Sequence, residues 1–160
     1  MDADNRQALL ARQPIAREFQ PQQVERLAAL ARTVQFPPQH VIFREGDDCP
    51  DFYLIVDGRV ALEMIVGNDR ALRIQTLSDG DELGWSALIM GRGKHFQART
   101  LQPVTALAFD GGQLLDACRS DPELGFALMH RLLSLVSERL HATRLQLSDT
   151  YSPVAHRAGA

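Results

Sequence analysis

The spacing of apolar residues changes twice along the chain, and this change limits the folds that the chain can adopt. Before Thr33 the apolar residues recur at helical spacing. From Thr33 to Phe109 they alternate with polar residues in short runs, and after Asp110 the helical spacing returns. Many short strands at close spacing favour a sandwich or a barrel-like roll over a βαβ fold.

Turn sequences divide the central region into seven or eight predicted strands. Asp57-Gly58 lies between two apolar runs and predicts a hairpin, and Gly67-Asn68-Asp69 predicts the next one. The first two short strands are separated by Pro37-Pro38. The predicted strands contain Val34 and Phe36, Val41 and Phe43, and the segments 52–56, 59–66, 71–77, 96–101 and 104–109.

Two short helices are predicted before the strands. Residues 4–12 form the first, which Pro14 ends. The second begins at Pro21 and carries Val24 and Leu27 at helical spacing. Residues 1–32 are therefore expected to be an N-terminal helical segment.

The longest predicted helix follows a short one over 113–119 and covers 122–148. Ser120, Pro122 and Glu123 are residue types that favour a helix start. Two apolar stripes run along this helix: a heptad seam from Met129 to Leu147, and a second stripe over the first half only. The simplest interpretation is that the second stripe contacts the strands while the seam meets another copy of the chain; alternatively, the whole helix lies on its own domain. The seam is Met129, Leu133, Val136, Leu140, Thr143 and Leu147, and the second stripe is Leu124, Leu128, Leu132 and Leu135.

Composition excludes several classes of protein. The chain has 160 residues and a net charge of -3, which indicates one globular domain and argues against a dedicated nucleic-acid binder. Neither a secretory leader nor a long apolar run is present, so we expect a cytoplasmic protein without a membrane span. Cys49 and Cys118 have neither the number nor the spacing of a disulfide framework or a zinc site. The segment 149–160 is expected to be a flexible tail.

Residues 78–99 are the candidate site. Gly84 opens a short helical turn from Trp85 to Leu88, and a loop with Arg92, Lys94 and His95 follows. Unpaired N–H groups at a helix start attract anions, and three cationic or potentially cationic side chains lie close by in sequence. The segment predicts a phosphate site; the alternative is a solvated basic loop.

The order of these elements resembles the cyclic nucleotide-binding domain family, which includes the bacterial Crp/Fnr regulators. The segment VQFPPQHVIFREGDDCPDFYLIVDGRVAL resembles the opening pattern of the family, and LSDGDELGWSAL lies where the family has its phosphate-binding cassette. The resemblance implies an α+β fold: an antiparallel β-roll (a jelly roll or double-stranded β-helix) with N-terminal helices and a long C-terminal helix. The resemblance covers residues 33–148 and implies a dimerisation helix over 122–148.

The resemblance also implies a regulatory sensor that binds cAMP, cGMP or a related anion without a further cofactor, and that signals through the C-terminal helix of a homodimer. The implied ligand residues in the cassette are Gly84, Trp85, Ser86, Ala87, Arg92, Lys94, His95 and Arg99, and those on the helix near the base are Leu140, Thr143 and Arg144.

The cassette departs from the family pattern at two positions. The glutamate of the family, which accepts hydrogen bonds from the ribose, is replaced by Trp85, and its arginine by Lys94 or His95. The ring of Trp85 either fills the pocket or stacks on a flat ligand. The strand period leaves open whether Arg99 points into the roll or out of it. The alternative function is a ligand-free, dimeric protein-interaction module with a degenerate pocket and an unknown protein partner.

Other functions find less support in the sequence. The five histidines are scattered and none is paired at His-x-His spacing, so neither a cupin-like metal site nor an enzyme with catalytic residues is expected. Crp/Fnr regulators carry a DNA-binding domain after the long helix, but only about a dozen residues follow Ser148, too few for a helix-turn-helix unit. We therefore expect no direct DNA binding from this chain.

Overall fold

A computed structural model of the chain describes residues 3–89 and 93–151. The helices are α1 Ala3–Ala11, α2 Pro21–Leu30, α3 Gly111–Ser120 and α4 Pro122–Tyr151, with 3₁₀ helices at Pro14–Glu18 and Trp85–Leu88. The strands are β1 Arg32–Phe36, β2 Val41–Phe43, β3 Asp51–Asp57, β4 Val60–Val66, β5 Arg70–Leu77, β6 Glu82–Leu83, β7 Gln97–Thr100 and β8 Val104–Asp110.

Two four-stranded antiparallel sheets form the roll. The strand order is β1-β8-β3-β6 in the first sheet and β2-β7-β4-β5 in the second. Successive strands alternate between the two sheets except for β4 and β5, which are neighbours in the second sheet, as in a double-stranded roll. The predicted fold class is confirmed: an antiparallel β-roll with N-terminal helices and a long C-terminal helix.

The turn at Asp57-Gly58 corrects one prediction. The strands on its two sides, β3 and β4, lie in different sheets and do not pair, so this turn carries the chain across the roll. Gly58 has a φ of 115°, and a Cβ there would lie 2.5 Å from the carbonyl oxygen of Pro103, which only glycine tolerates. The turn after Val66 is a true hairpin, in which Val66 pairs with Arg70.

Side-chain caps determine where two of the helices begin. Gln20 and Gln23 form a capping box at the start of α2, and Pro21 occupies the first turn. Asp110 accepts a hydrogen bond of 2.9 Å from the Gln113 N–H. This cap starts α3 at Gly111, two residues earlier than apolar spacing predicts.

Two apolar cores lie on opposite sides of the first sheet. One fills the space between the two sheets, around Ile55, Leu62 and Ala106. The other packs the helices against the first sheet. The predicted second stripe of α4 belongs to this helical core: Leu124, Leu128, Leu132 and Leu135 are between 0% and 8% exposed.

Helix α4 is longer than predicted, and its seam faces outward. It continues three residues past Ser148 to Tyr151, because the first proline after its start is Pro153. The predicted tail is therefore helical over 149–151, and its remaining residues lie outside the described part of the chain. Leu133 and Leu140 are 70% and 60% exposed. Within the described residues, none of the helices is long and apolar enough to cross a membrane.

Candidate functional site

Gly84 sets the local geometry of the cassette, by which we mean the segment 77–88. It follows strand β6 and adopts a φ of 82° before the 3₁₀ turn Trp85–Leu88. A Cβ at this position would lie 2.8 Å from the carbonyl oxygen of Asp51 and 3.1 Å from Nζ of Lys94. Both the left-handed backbone and the close neighbours require glycine here.

The loop that carries Lys94 is fixed against the turn after β2. The N–H of Lys94 donates to the carbonyl of Asp47 at 2.9 Å, and the carbonyl of Lys94 accepts from the N–H of Gly46 at 2.8 Å. A Cβ on Gly93 would lie 2.7 Å from the carbonyl oxygen of Gly46. These backbone contacts direct the Lys94 side chain inward.

The ammonium group of Lys94 is buried beside the cassette. It donates to the carbonyls of Gly84 at 3.1 Å and Asp51 at 3.2 Å, and it lies 5.0 Å from the centre of the Phe43 ring. Burial lowers the pKa of Lys94, although the nearby Cys49 and Asp51 oppose this shift. Carbonyl oxygens and an aromatic face thus replace water around this cation.

A small cavity lies between the cassette, the Lys94 loop and helix α4. Its free volume is about 20 Å³, enough for one water-sized group, whereas pockets for small-molecule ligands have volumes of about 300–1,000 Å³. A whole nucleotide therefore fits inside the cavity only if the walls move. The cavity is lined by Phe43, Leu62, Leu83, Gly84, Trp85, Ser86, Lys94, His95, Phe96 and Arg139.

Trp85 and His95 form a stacked pair in the cavity wall. Their ring centres are 4.8 Å apart and their planes differ by 12°. Trp85 is half-buried and His95 is exposed. The indole thus forms part of the cavity wall, with its face covered by an imidazole.

Glu82 connects the cassette to helix α4 at two points. Its carboxylate, on a residue only 1% exposed, accepts from Nε of Arg131 at 2.7 Å and from a second nitrogen of that guanidinium at 3.2 Å. Its backbone carbonyl accepts from Arg139 at 2.6 Å. The pair raises the pKa of Arg131, mainly through the hydrogen bond, and two turns of α4 are thus attached to the strand that precedes Gly84.

Arg139 is the residue by which α4 reaches the cavity. It is 3% exposed and also donates to the side-chain oxygen of Gln75 at 3.2 Å. Burial lowers the pKa of Arg139, and Asp81 and Glu82 oppose this shift. A buried guanidinium with partners on two strands holds the helix and the roll together.

Arg99 lies away from the cassette, which corrects its assignment as a ligand residue. It pairs with Ala61 across the ladder, on the sheet face opposite Leu62 and Ala98 of the inner core. Its guanidinium bonds the Glu63 carboxylate at 3.1 and 2.9 Å. The strand period could not determine which face was inner. Arg92, another predicted ligand residue, lies outside the described residues.

Three residues of α4, predicted near the base of a ligand, lie away from the cavity of this chain. Leu140 and Arg144 are exposed, and the hydroxyl of Thr143 donates to the Arg139 carbonyl of its own helix at 2.7 Å. None of the three lines the cavity of this chain. Ala87 faces α3, because its carbonyl lies against Gly111. Of the predicted residues, the structure brings Gly84, Trp85, Ser86, Lys94 and His95 together around the cavity.

Sequence reasoning missed Glu82, Arg131 and Arg139. One signal was present: Arg139 comes four residues after Leu135, at the next position of the stripe that faces the roll. A charged residue at such a position requires a buried partner. Within the ranges that the structure describes, no group of three or more His, Cys, Asp or Glu residues could hold a metal ion.

Comparison with known proteins identifies relatives. The chain is 25% identical over 141 residues to the CRP-like cAMP-activated global transcriptional regulator of Mycobacterium tuberculosis, covering 88% of this chain and 61% of the relative. The chain therefore spans less than two thirds of the relative's length. A cyclic nucleotide-binding domain from Methylobacillus flagellatus superposes with a TM-score of 0.78 at 21% identity, covering 94% of this chain and 85% of that one. The catabolite activator protein of Thermus thermophilus gives 0.70 at 22% identity, covering 84% and 62%.

Residues 33–121 match the family model of the cyclic nucleotide-binding domain. The match covers more than half of the chain and includes both sheets, the cassette and the Lys94 loop. The chain therefore belongs to the cyclic nucleotide-binding domain family.

Proposed function

We propose that the protein is a regulatory sensor that binds a cyclic nucleotide, or a related anion, at the cassette and signals through helix α4. The observation that carries the proposal is the cavity between the cassette and α4. Its lining includes two buried cationic residues, Lys94 and Arg139, and no Asp or Glu within the described part of the chain. A site of this charge favours an anion.

The ligand proposed first is cAMP or cGMP. The family membership supports it, as does the name of the Mycobacterium tuberculosis relative, a cAMP-activated regulator. The role proposed for the domain is binding and signalling without catalysis, and no cofactor is needed for it. The stacked Trp85–His95 pair would have to separate or shift to admit a nucleotide.

A ligand-free interaction module is the second candidate. Trp85 in place of the family's ribose acceptor supports it, because an indole N–H can only donate a hydrogen bond. The small cavity, about 20 Å³, supports it as well. In this case the cavity is a closed remnant, and the protein acts through its dimer and a protein partner.

Both candidates include a homodimer formed through α4. Supporting this, Leu133, Leu140 and Leu147 of the heptad seam are 70%, 60% and 45% exposed. Exposed apolar residues seven positions apart along a helix are typical of a helix–helix interface. Neither DNA binding nor a membrane partner is proposed for this chain.

A ligand panel separates the two candidates. Calorimetry and thermal shift with cAMP, cGMP, AMP and sulfate are measured on the wild type and on His95→Ala and His40→Ala. His40 is the matched control, because it is also exposed and stacks on an aromatic ring, Phe36, at 5.4 Å, but does not line the cavity.

We expect saturable binding of cAMP or cGMP that His95→Ala changes and His40→Ala leaves unchanged. No binding of either cyclic nucleotide at millimolar concentration would contradict the cyclic nucleotide sensor and favour the interaction module.

A further inference from the structure

Two residues that line the small cavity each carry a buried polar atom without a hydrogen-bond partner. Three buried side-chain atoms lack a hydrogen bond in the part of the chain that the structure describes, and two of them are Oγ of Ser86 and Nε of Arg139. Both residues are 3% exposed, and both line the cavity. An unmet buried donor costs about 1–3 kcal/mol, so this pair marks a place where a further acceptor would be stabilising.

The charge around these two atoms is positive. Lys94 lines the same cavity from the opposite loop, and burial lowers the pKa of both Lys94 and Arg139. The buried carboxylate of Glu82 is paired with Arg131. Two desolvated cations that share a cavity are stabilised by an anion between them.

The remaining bonds of Arg139 fix its orientation. Its two terminal nitrogens donate to the carbonyl of Glu82 at 2.6 Å and to Gln75 at 3.2 Å. These contacts hold the guanidinium in place and leave Nε–H buried without a partner. A donor held in this way loses little entropy when an acceptor arrives.

We propose that Arg139, Ser86 and Lys94 form a subsite for one oxygen of a phosphate group, in which the arginine comes from α4 and not from the loop after the cassette. The cavity of about 20 Å³ matches a single oxygen atom. The rest of the ligand would lie toward the exposed side, at the Trp85–His95 pair. This inference rests on the proposed function and adds a residue of α4 that contacts the phosphate.

The subsite would place ligand recognition on the helix that carries the seam. Arg139 lies one residue before Leu140, which is exposed on the seam. A phosphate oxygen that bonds Nε of Arg139 would act directly on α4. No relay through other residues is then needed between the ligand and the proposed interface.

The test uses the wild type, Arg139→Gln, Ser86→Ala and the control Arg119→Gln, which removes an exposed charge from α3. Each protein is titrated with sodium phosphate and with cAMP by calorimetry. The Arg139 Nε–H resonance is followed in the ¹⁵N-labelled wild type and identified by its loss in Arg139→Gln. We expect that resonance to shift with saturation, at least tenfold weaker binding in Arg139→Gln, and several-fold weaker binding in Ser86→Ala without a lower Tm.

The outcomes distinguish the subsite from the sensor. If cAMP binds equally well to the wild type and Arg139→Gln, the subsite is wrong and the sensor stands. If phosphate binds through Arg139 but cAMP does not bind, the subsite stands and cAMP is not the ligand. If neither anion moves the Arg139 resonance, the subsite is overturned. Should Arg139→Gln not fold, Ser86→Ala and the wild-type resonance decide by the same criteria.

Discussion

Lys94 illustrates what residue types in a sequence can and cannot reveal. Its position after the cassette predicts a cation near the site, and the structure places it in the cavity wall. Its burial could not be predicted, because the partners that replace water are backbone carbonyls of Gly84 and Asp51 from distant parts of the chain. Every residue has a backbone carbonyl, so the residue types in a sequence do not show which carbonyls will contact Lys94.

Arg99 shows the same limit with the opposite result. Charge and sequence position suggested a ligand contact, but the side chain lies on the outer face of the second sheet and pairs with Glu63. One residue of register determines this difference, because successive side chains on a strand point to opposite faces. A phosphate site assigned from the charged residues near the cassette in sequence therefore includes Arg99, which lies on the other face of the sheet.

The Arg99–Glu63 pair contributes to the way the free energy of unfolding changes with pH in acid. The hydrogen bond from Arg99 lowers the pKa of Glu63, whose residue is 3% exposed. Because the folded-state pKa lies below the unfolded one, the stabilisation is present above the ordinary glutamate pKa of about 4.3 and is lost as the pH falls through the lower folded value. We expect Glu63→Gln to reduce the free energy of unfolding by about 2–3 kcal/mol at pH 7 and to flatten its decline below about pH 5.

Urea denaturation between pH 7 and pH 3 measures this effect. Glu45→Gln, which changes an exposed glutamate, is the control and should keep the wild-type profile. A Glu63→Gln protein with wild-type stability at pH 7 and the same acid dependence would show that the pair contributes nothing.

At the scale of elements, helix α4 was the most predictable part of the chain. Its start, its length to within three residues and the burial of its second stripe follow from spacing and from the distribution of proline. The contact of α4 with the cavity was less predictable. The apolar stripe that faces the roll stops at Leu135, and the next residue on the same face is the charged Arg139. The corresponding contacts with Glu82 and Gln75 depend on strands far away in sequence.

The seam of α4 gives a prediction at this scale. We expect the wild type to be a dimer at micromolar concentration and Leu140→Glu to be a monomer, since a charge in a helix–helix seam is costly to bury. His141→Glu is the matched control: it adds the same group one residue on, about 100° around the helix, at an exposed position.

Size-exclusion chromatography with light scattering decides the matter. A wild type that is monomeric throughout the micromolar range would contradict the dimer. So would a Leu140→Glu protein that elutes and scatters as a dimer.

At the scale of the whole molecule, one apolar core packs the two sheets together and another packs the helices against the first sheet. The alternation of short strands and turns was enough to predict an antiparallel roll, but not the route of the chain through it. The turn at Asp57-Gly58 reads as a hairpin locally, yet it connects the two sheets. Sheet partners such as β3 and β8 are brought together by the packing of the complete roll, which short-range patterns do not encode.

The cavity, Glu82 and α4 form one connected path in this molecule. The cassette strand is attached to α4 through Arg131 and Arg139, and the proposed interface lies on the same helix. Binding at the cavity and association of two helices should therefore influence each other, and thermodynamic linkage requires the influence to be equal in both directions.

Sedimentation equilibrium with and without millimolar cAMP tests this coupling most directly, on the wild type and on Arg139→Gln. The account predicts that cAMP changes the dimer dissociation constant of the wild type by at least about fivefold and leaves that of Arg139→Gln unchanged. A wild-type dissociation constant that is the same with and without cAMP would contradict it.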